Sequence, residues 1–186
     1  MNTDLFDFLN SISPLSEELK TQLSFYLKLQ QFEKKTFLLK EGQTCNYIYF
    51  IQQGLVRSYY TKDGNEICSW FMKEGDVIIS VDSFYNRKPS YEFIEAIEDT
   101  TVYYIHYDEL QLLYKKFIEF NIIGRVLTEK YYQLSEERLF SMRKQKAAER
   151  YNFLLSHHPE IFQRVPRKYI ASYLGITEET LSRINK

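Results

Sequence analysis

Apolar positions along this chain change period twice, from helical spacing to alternation and back again. Near the start, Ser13-Pro14 followed by Ser16-Glu17-Glu18 makes a helix N-terminus, with proline early and acids in the first turn. Leu19, Leu23, Tyr26 and Leu27 mark the amphipathic helix it opens. From Phe32 to about Tyr107 short apolar or alternating runs are punctuated by Gly42, Gly54, Gly64 and Gly75, at intervals of twelve, ten and eleven residues. That spacing predicts repeated strands and turns, with candidate strands at 47–51, 55–60, 66–72, 93–96 and 101–107. Lys62-Asp63-Gly64-Asn65, between two of them, reads as a hairpin loop of the Asp-Gly kind, because Gly accepts the left-handed backbone such a reversal needs. The strands are expected to close into an antiparallel barrel or roll.

Past Asp108 helical spacing returns. Leu113, Phe117, Phe120, Leu127, Tyr131 and Leu134 fall four and three apart, interrupted by Gly124, and the pattern runs on for more than twenty residues to Ser141. Such a helix, about 30 Å long at the usual rise, carries more apolar stripe than one small barrel covers, so a second copy of the chain is the expected partner. The alternative is a helix lying wholly against its own barrel. Another amphipathic helix follows from Lys144 to Leu155. The last twenty residues, Arg167 to Lys186, read as two short helices and a tight turn, with Ile170, Ala171, Leu174, Ile176, Leu181 and Ile184 facing inward. Gly175 sits where the first helix stops, a position that wants positive φ. Thr177 caps the second helix, and Glu178 and Glu179 suit the dipole of its first turn. Glu179, Thr180, Ser182 and Arg183 then face outward, able to reach base edges in a DNA major groove.

Composition narrows the class. With 186 residues, 44% hydrophobic and 26% charged, the chain can bury one sizeable core and a smaller one. Its 16 Tyr and 14 Phe suit strands packed by rings. No apolar stretch approaches a membrane span and the first residues lack a cationic head, so a cytoplasmic location is expected. Cys45 and Cys68 are too few for a thiolate cluster and are expected as small buried hydrophobes without a disulfide; His106, His157 and His158 have no ligand spacing. No metal, no cofactor and no catalytic residues are expected, and an enzyme built on a metal-bearing barrel would need more histidine than the lone His106 of the barrel region. The formal net charge of −1 hides a division: residues 143 to 186 hold nine Lys or Arg against four Glu, a net of +5, which leaves −6 for residues 1 to 142. A basic C-terminal quarter on an acidic body fits an end that meets phosphates, with Arg167, Lys168 and Lys186 as backbone contacts.

Helix, glycine-punctuated roll, long helix and terminal helix-turn-helix together resemble the bacterial Crp/Fnr transcription regulators. The resemblance rests on Leu39-Lys40-Glu41-Gly42, Tyr47 to Gly54, the Asp63-Gly64 hairpin, Gly75-Asp76-Val77-Ile78, and Gly175 through Ile184. It implies an α+β chain: a cyclic-nucleotide-binding-like antiparallel β-roll with an N-terminal helix over 1–116, a dimerisation helix over 117–141, and a helix-turn-helix DNA-binding domain over 142–186, where this sequence departs from the family in that the usual wing is expected to be truncated or absent. It implies double-stranded DNA as partner and a homodimer through Phe117, Phe120, Leu127, Tyr131 and Leu134. In the recognition helix Glu179 and Arg183 match the positions of the family's base-reading Glu and Arg, whereas Glu178 stands where its best-known members carry a second Arg. Of the family's nucleotide machinery, the Gly-Glu-Leu segment is replaced by Ile79-Ser80-Val81 and the Arg-Ser or Arg-Thr pair by Ser90-Tyr91, so no cyclic-AMP response is expected. The roll could hold another small molecule among Ser80, Val81, Phe84, Arg87, Ser90, Tyr91 and Phe93, or be a filled core. A sensor or scaffold whose terminal helices bind protein rather than DNA is the alternative reading of the whole.

Overall fold

The computed structural model describes residues 5–185. In chain order the elements are α1 (Leu5–Ile12), α2 (Glu17–Tyr26), β1 (Lys28–Phe32), β2 (Phe37–Leu39), β3 (Tyr47–Gln53), β4 (Val56–Lys62), β5 (Asn65–Met72), β6 (Val77–Ile78), α3 (Val81–Asn86), β7 (Phe93–Ala96), β8 (Thr100–His106), α4 (Tyr107–Lys116), α5 (Ile118–Lys144), α6 (Ala147–His157), α7 (Pro159–Arg164), α8 (Arg167–Leu174) and α9 (Glu178–Ile184). The chain divides into two compact units, Met1–Ser58 with Phe71–Glu129 and Tyr59–Trp70 with Lys130–Lys186.

Two four-stranded sheets are ordered β1-β8-β3-β6 and β2-β7-β4-β5, with the Tyr59–Trp70 stretch of β4 and β5 counted in the second unit. Every pairing whose register is described is antiparallel, with Ile48 opposite Ile105, Tyr49 opposite Tyr104 and Ile51 opposite Val102. Alternation along these strands sends Ile51, Ile94 and Val102 inward, each with no exposed surface, and α2 adds Leu19 and Leu23. The expected start of α2 is correct: Ser16 Oγ accepts the Leu19 N–H at 3.2 Å. The Asp63-Gly64 turn is made with positive φ at both residues, 51° and 76°, as a tight two-residue reversal requires.

The structure departs from the sequence pattern in three respects. Strands β1 and β2 and the short α1 and α3 fall where the spacing shows nothing; β1 is almost wholly exposed, so it has no alternation to read. The long helical pattern is broken: α4 ends at Lys116, Phe117 is extended (φ −122°, ψ 115°), and α5 begins at Ile118. Asn121 caps the break: its side-chain amide donates to the Tyr114 carbonyl at the end of α4 and also to the Phe117 carbonyl, which keeps its helical bond from the Asn121 N–H at 3.3 Å. Phe117 and Phe120, expected on a dimer face, are 6% and 5% exposed and sit in the core of their own chain. A buried ion pair is the third departure. Arg57 on β4, 1% exposed, donates from Nε to Glu95 Oε2 on β7 at 2.7 Å. Cys45 and Cys68 are buried, and neither is in a disulfide.

In the second unit α6 to α9 enclose a small core of Tyr151, Leu154, Ile161, Val165, Ile170, Ala171, Leu174 and Leu181, all 6% exposed or less. The Tyr151 ring meets Phe162 edge-on at 5.2 Å and its hydroxyl donates to Asn185 Oδ1 at 2.6 Å.

Candidate nucleic-acid interface

The terminal motif is held by its own backbone chemistry. Gly175 is left-handed (φ 65°, ψ 38°); its N–H donates to Ser172 O at 3.0 Å and the following Ile176 N–H reaches back to Ala171 O at 3.0 Å. This pair of bonds, six-to-one outside five-to-two, satisfies the last carbonyls of α8 and reverses the chain within three residues. A Cβ at Gly175 would come within 2.7 Å of Met142 Cε, in addition to the strain of positive φ. Thr177 Oγ1 accepts the Thr180 N–H at 3.2 Å and so caps α9. The Thr177 hydroxyl also holds the Glu179 carboxyl below its usual range, with the nearby Arg183 a smaller contributor.

Burial divides α9 into two faces. Leu181 is 2% exposed and anchors the helix, while Glu178, Glu179, Ser182 and Arg183 are exposed and Thr180 is half-buried. Arg167, at the first turn of α8, donates to Ser182 Oγ at 3.2 Å, so a cation expected on phosphate lies against the expected reading face. Lys168 is exposed, its ammonium 4.7 Å from the Tyr169 ring centre. The structure thus brings Arg167, Thr177, Glu179, Thr180, Ser182 and Arg183 together. Lys186 lies outside the described residues.

Two arginines that the sequence reading did not single out hold the last turn of α8. Arg138 of α5 donates from Nη2 to Tyr173 O at 2.9 Å and lies 3.7 Å from the Tyr173 ring centre. Arg150 of α6 donates from Nε to Leu174 O at 3.0 Å and from Nη1 to Gln145 O at 2.6 Å. Cations on C-terminal carbonyls suit the helix dipole. Their signal in the sequence is only that of polar residues on amphipathic helices, and nothing in spacing tells a capping arginine from a solvated one.

The residues expected around an effector do not form one lining. Ser80 and Ser90 are buried and their hydroxyls meet at 2.9 Å, and Phe84 is fully buried. Val81 and Tyr91 are instead 62% and 53% exposed, which removes them from any interior site. Phe93 packs its ring on Phe37 at 5.8 Å. Arg87 donates to Cys45 O at 2.8 Å and Phe84 O at 3.1 Å, and its guanidinium lies 4.2 Å from the Tyr107 ring centre. Its fork is spent on the protein itself. Glu92, absent from the expected set, puts a carboxyl beside Ser80; burial pushes its pKa up, against a lowering hydrogen bond from Ser80.

Residues 29–117 match the cyclic nucleotide-binding domain. The chain is 29% identical over 165 residues to the fumarate and nitrate reduction regulatory protein of Yersinia pestis, an alignment covering 82% of this chain and 65% of that one. It is 27% identical over 184 residues to the anaerobic regulatory protein of Pasteurella multocida, covering 91% and 66%. The chain is thus similar to curated regulatory proteins along most of its length and to the cyclic nucleotide-binding domain over its roll. A solved structure of a CooA mutant from Carboxydothermus hydrogenoformans superposes with a TM-score of 0.72 at 23% identity, covering 100% of this chain and 84% of that one. The chain spans about two thirds of the length of the two curated relatives, 65% and 66%.

Proposed function

We propose that this chain is a cytoplasmic, sequence-reading transcription regulator of the Crp/Fnr kind that binds double-stranded DNA as a homodimer and has no enzymatic role. The observation that carries this reading is the two-faced α9, whose buried Leu181 fixes it in place while Glu179, Ser182 and Arg183 look outward beside Arg167. A division of labour follows, with an effector-type roll over 1–116, a pairing helix over 117–141 and the DNA-binding helices over 142–186. Of the expected pairing residues, Leu127, Tyr131 and Leu134 are the ones partly exposed on α5 and so able to meet a second copy. The two relatives are named for fumarate and nitrate reduction and for anaerobic regulation, and neither name supplies an effector for this chain. Cyclic AMP does not fit: a cyclic phosphate needs a donor fork, and the roll offers a committed Arg87 with the Glu92 carboxyl beside Ser80.

The test is selection of duplexes from a random-sequence library by the purified chain, followed by affinity measurement at two salt concentrations. A defined sequence should emerge with salt-dependent affinity, and Arg183→Ala should lower affinity for it by about five- to a hundred-fold, one base contact's worth, while non-specific binding persists. Unchanged selectivity in Arg183→Ala would remove that residue from the reading face. No enrichment of any duplex at low salt would overturn the reading as a whole.

A further inference from the structure

The tip of the β4–β5 hairpin lies within the C-terminal unit, and β5 is an edge strand of its sheet. An edge strand leaves a row of backbone N–H and C=O groups in need of partners. Here a single side chain from α8 supplies two of them. The Cys68 N–H donates to Ser172 Oγ at 2.9 Å, and the same hydroxyl donates to Glu66 O at 2.8 Å, so Ser172 stands in for a neighbouring strand. Arg138 joins from the long helix, its Nη2 shared between Tyr173 O at 2.9 Å and Cys68 O at 3.4 Å. The guanidinium lies 3.7 Å from the Tyr173 ring centre and 5.9 Å from that of Trp70. Burial raises the Tyr173 hydroxyl's pKa, as expected for a ring closed in on that side. Beside this junction a cleft of about 610 Å³ runs from Tyr60, Ile67 and Trp70 on the hairpin to Gly175, Ile176 and Thr177, the turn into α9.

We propose that the hairpin tip and Arg138 form a clasp on the last turn of α8 that sets the attitude of the recognition helix, making Ser172 and Arg138 positioning residues for DNA reading. The inference deepens the DNA-binding reading and rests on it. Only Gly175, Ile176 and Thr177 separate α8 from α9, and their dihedrals are fixed by the two turn bonds and the Thr177 cap. Holding Ser172 and Tyr173 therefore holds the first turn of α9, the end of a recognition helix that contacts base edges. The clasp does so without touching the reading face, since Glu178, Glu179, Ser182 and Arg183 stay exposed. It grips the hairpin by backbone groups, so it depends on Ser172 and Arg138 rather than on the side chains of Glu66 or Cys68. The Ser172 hydrogen bonds to the edge strand are neutral, and such bonds are made and broken more readily than a buried ion pair, which suits a joint whose state can be changed.

The experiment uses the full chain, with hydrogen exchange as one readout and affinity for the duplex selected by the wild type as the other. In Ser172→Ala the Cys68 amide should exchange at least about five times faster, one lost hydrogen bond's worth, while amides of the strand pair β3 and β8 keep their rates. Affinity for the selected duplex should fall by a similar factor or more, with the preferred sequence and the salt dependence unchanged, because no phosphate or base contact has been removed. Arg138→Gln should repeat both effects, and Ser172→Thr, which keeps the hydroxyl, should restore them toward wild type. Unaltered Cys68 exchange in Ser172→Ala overturns the clasp. Faster exchange with unaltered affinity overturns its positioning role. A wild-type chain that retains no duplex sinks the DNA reading and the positioning role with it, while the exchange data still report whether the clasp exists.

Discussion

Arg57 is, by residue volume, the largest fully enclosed side chain among the described residues, and it has Glu95 of the adjoining strand as its counter-charge at 2.7 Å. Removing one member of such a pair strands a charge in a dry interior. Arg57→Met is expected to destabilise the fold by about 3–5 kcal/mol in urea unfolding, and Arg57→Met with Glu95→Leu to recover most of that loss. Near-equal stability of the single and double variants would show that the pair is not what holds the site. Glu92 is a second titratable group in a poor solvent for charge. Its folded-state pKa is raised by burial first, with the Ser80 hydrogen bond opposing, so the stability it contributes is complete at low pH and is lost as pH climbs through the raised value. Glu92→Gln should accordingly melt higher than wild type at about pH 8, with the gap closing towards about pH 4 where both side chains are neutral. A gap that widens on acidification would reverse the assignment. Neither residue could be singled out beforehand: Arg57 lies in an alternating run and Glu92 next to one, where a charge ordinarily marks the solvent side of a strand.

Among the elements, those written in apolar periodicity were the most legible. The strands at 47–53, 56–62, 65–72, 93–96 and 100–106 and the terminal pair α8 and α9 follow spacing and turn chemistry that each segment carries within itself. The helix across residues 113–134 was half legible, because the break at Phe117, where the Asn121 side-chain amide takes the Tyr114 carbonyl, leaves the four-three spacing of apolar residues unperturbed. That break turns Phe117 and Phe120 into core residues and leaves α5 with Ile118, Ile122, Tyr132, Leu139 and Phe140 well exposed, alongside the partly exposed Leu127, Tyr131 and Leu134. A 27-residue helix with this much uncovered apolar surface wants a companion. Sedimentation equilibrium should give twice the 22.5 kDa chain mass, and Leu134→Glu should shift it to the single mass without loss of helical signal. Wild type at the single mass would remove the pairing role of α5.

For the whole molecule, the order of roll, long helix and helix-turn-helix was readable because each part has its own periodicity and glycine punctuation. The traffic between distant stretches was not. Ser172 meets Glu66 and Cys68 across more than a hundred residues, and no local signal records that a serine on one helix completes the edge of a strand so far away. The state of Arg87 was hidden for the same reason, since one of the carbonyls that takes its guanidinium, that of Cys45, lies about forty residues upstream. The recognition helix shows the opposite economy. Its hold on the protein comes from Leu181, the Thr177 cap and the left-handed Gly175, whereas Glu178 and Arg183 have no share in that burial. On the proposed DNA-binding reading, target preference can drift by surface substitutions that leave folding untouched, so lineages descending from such a chain would be free to re-letter their operators while the scaffold beneath stays the same.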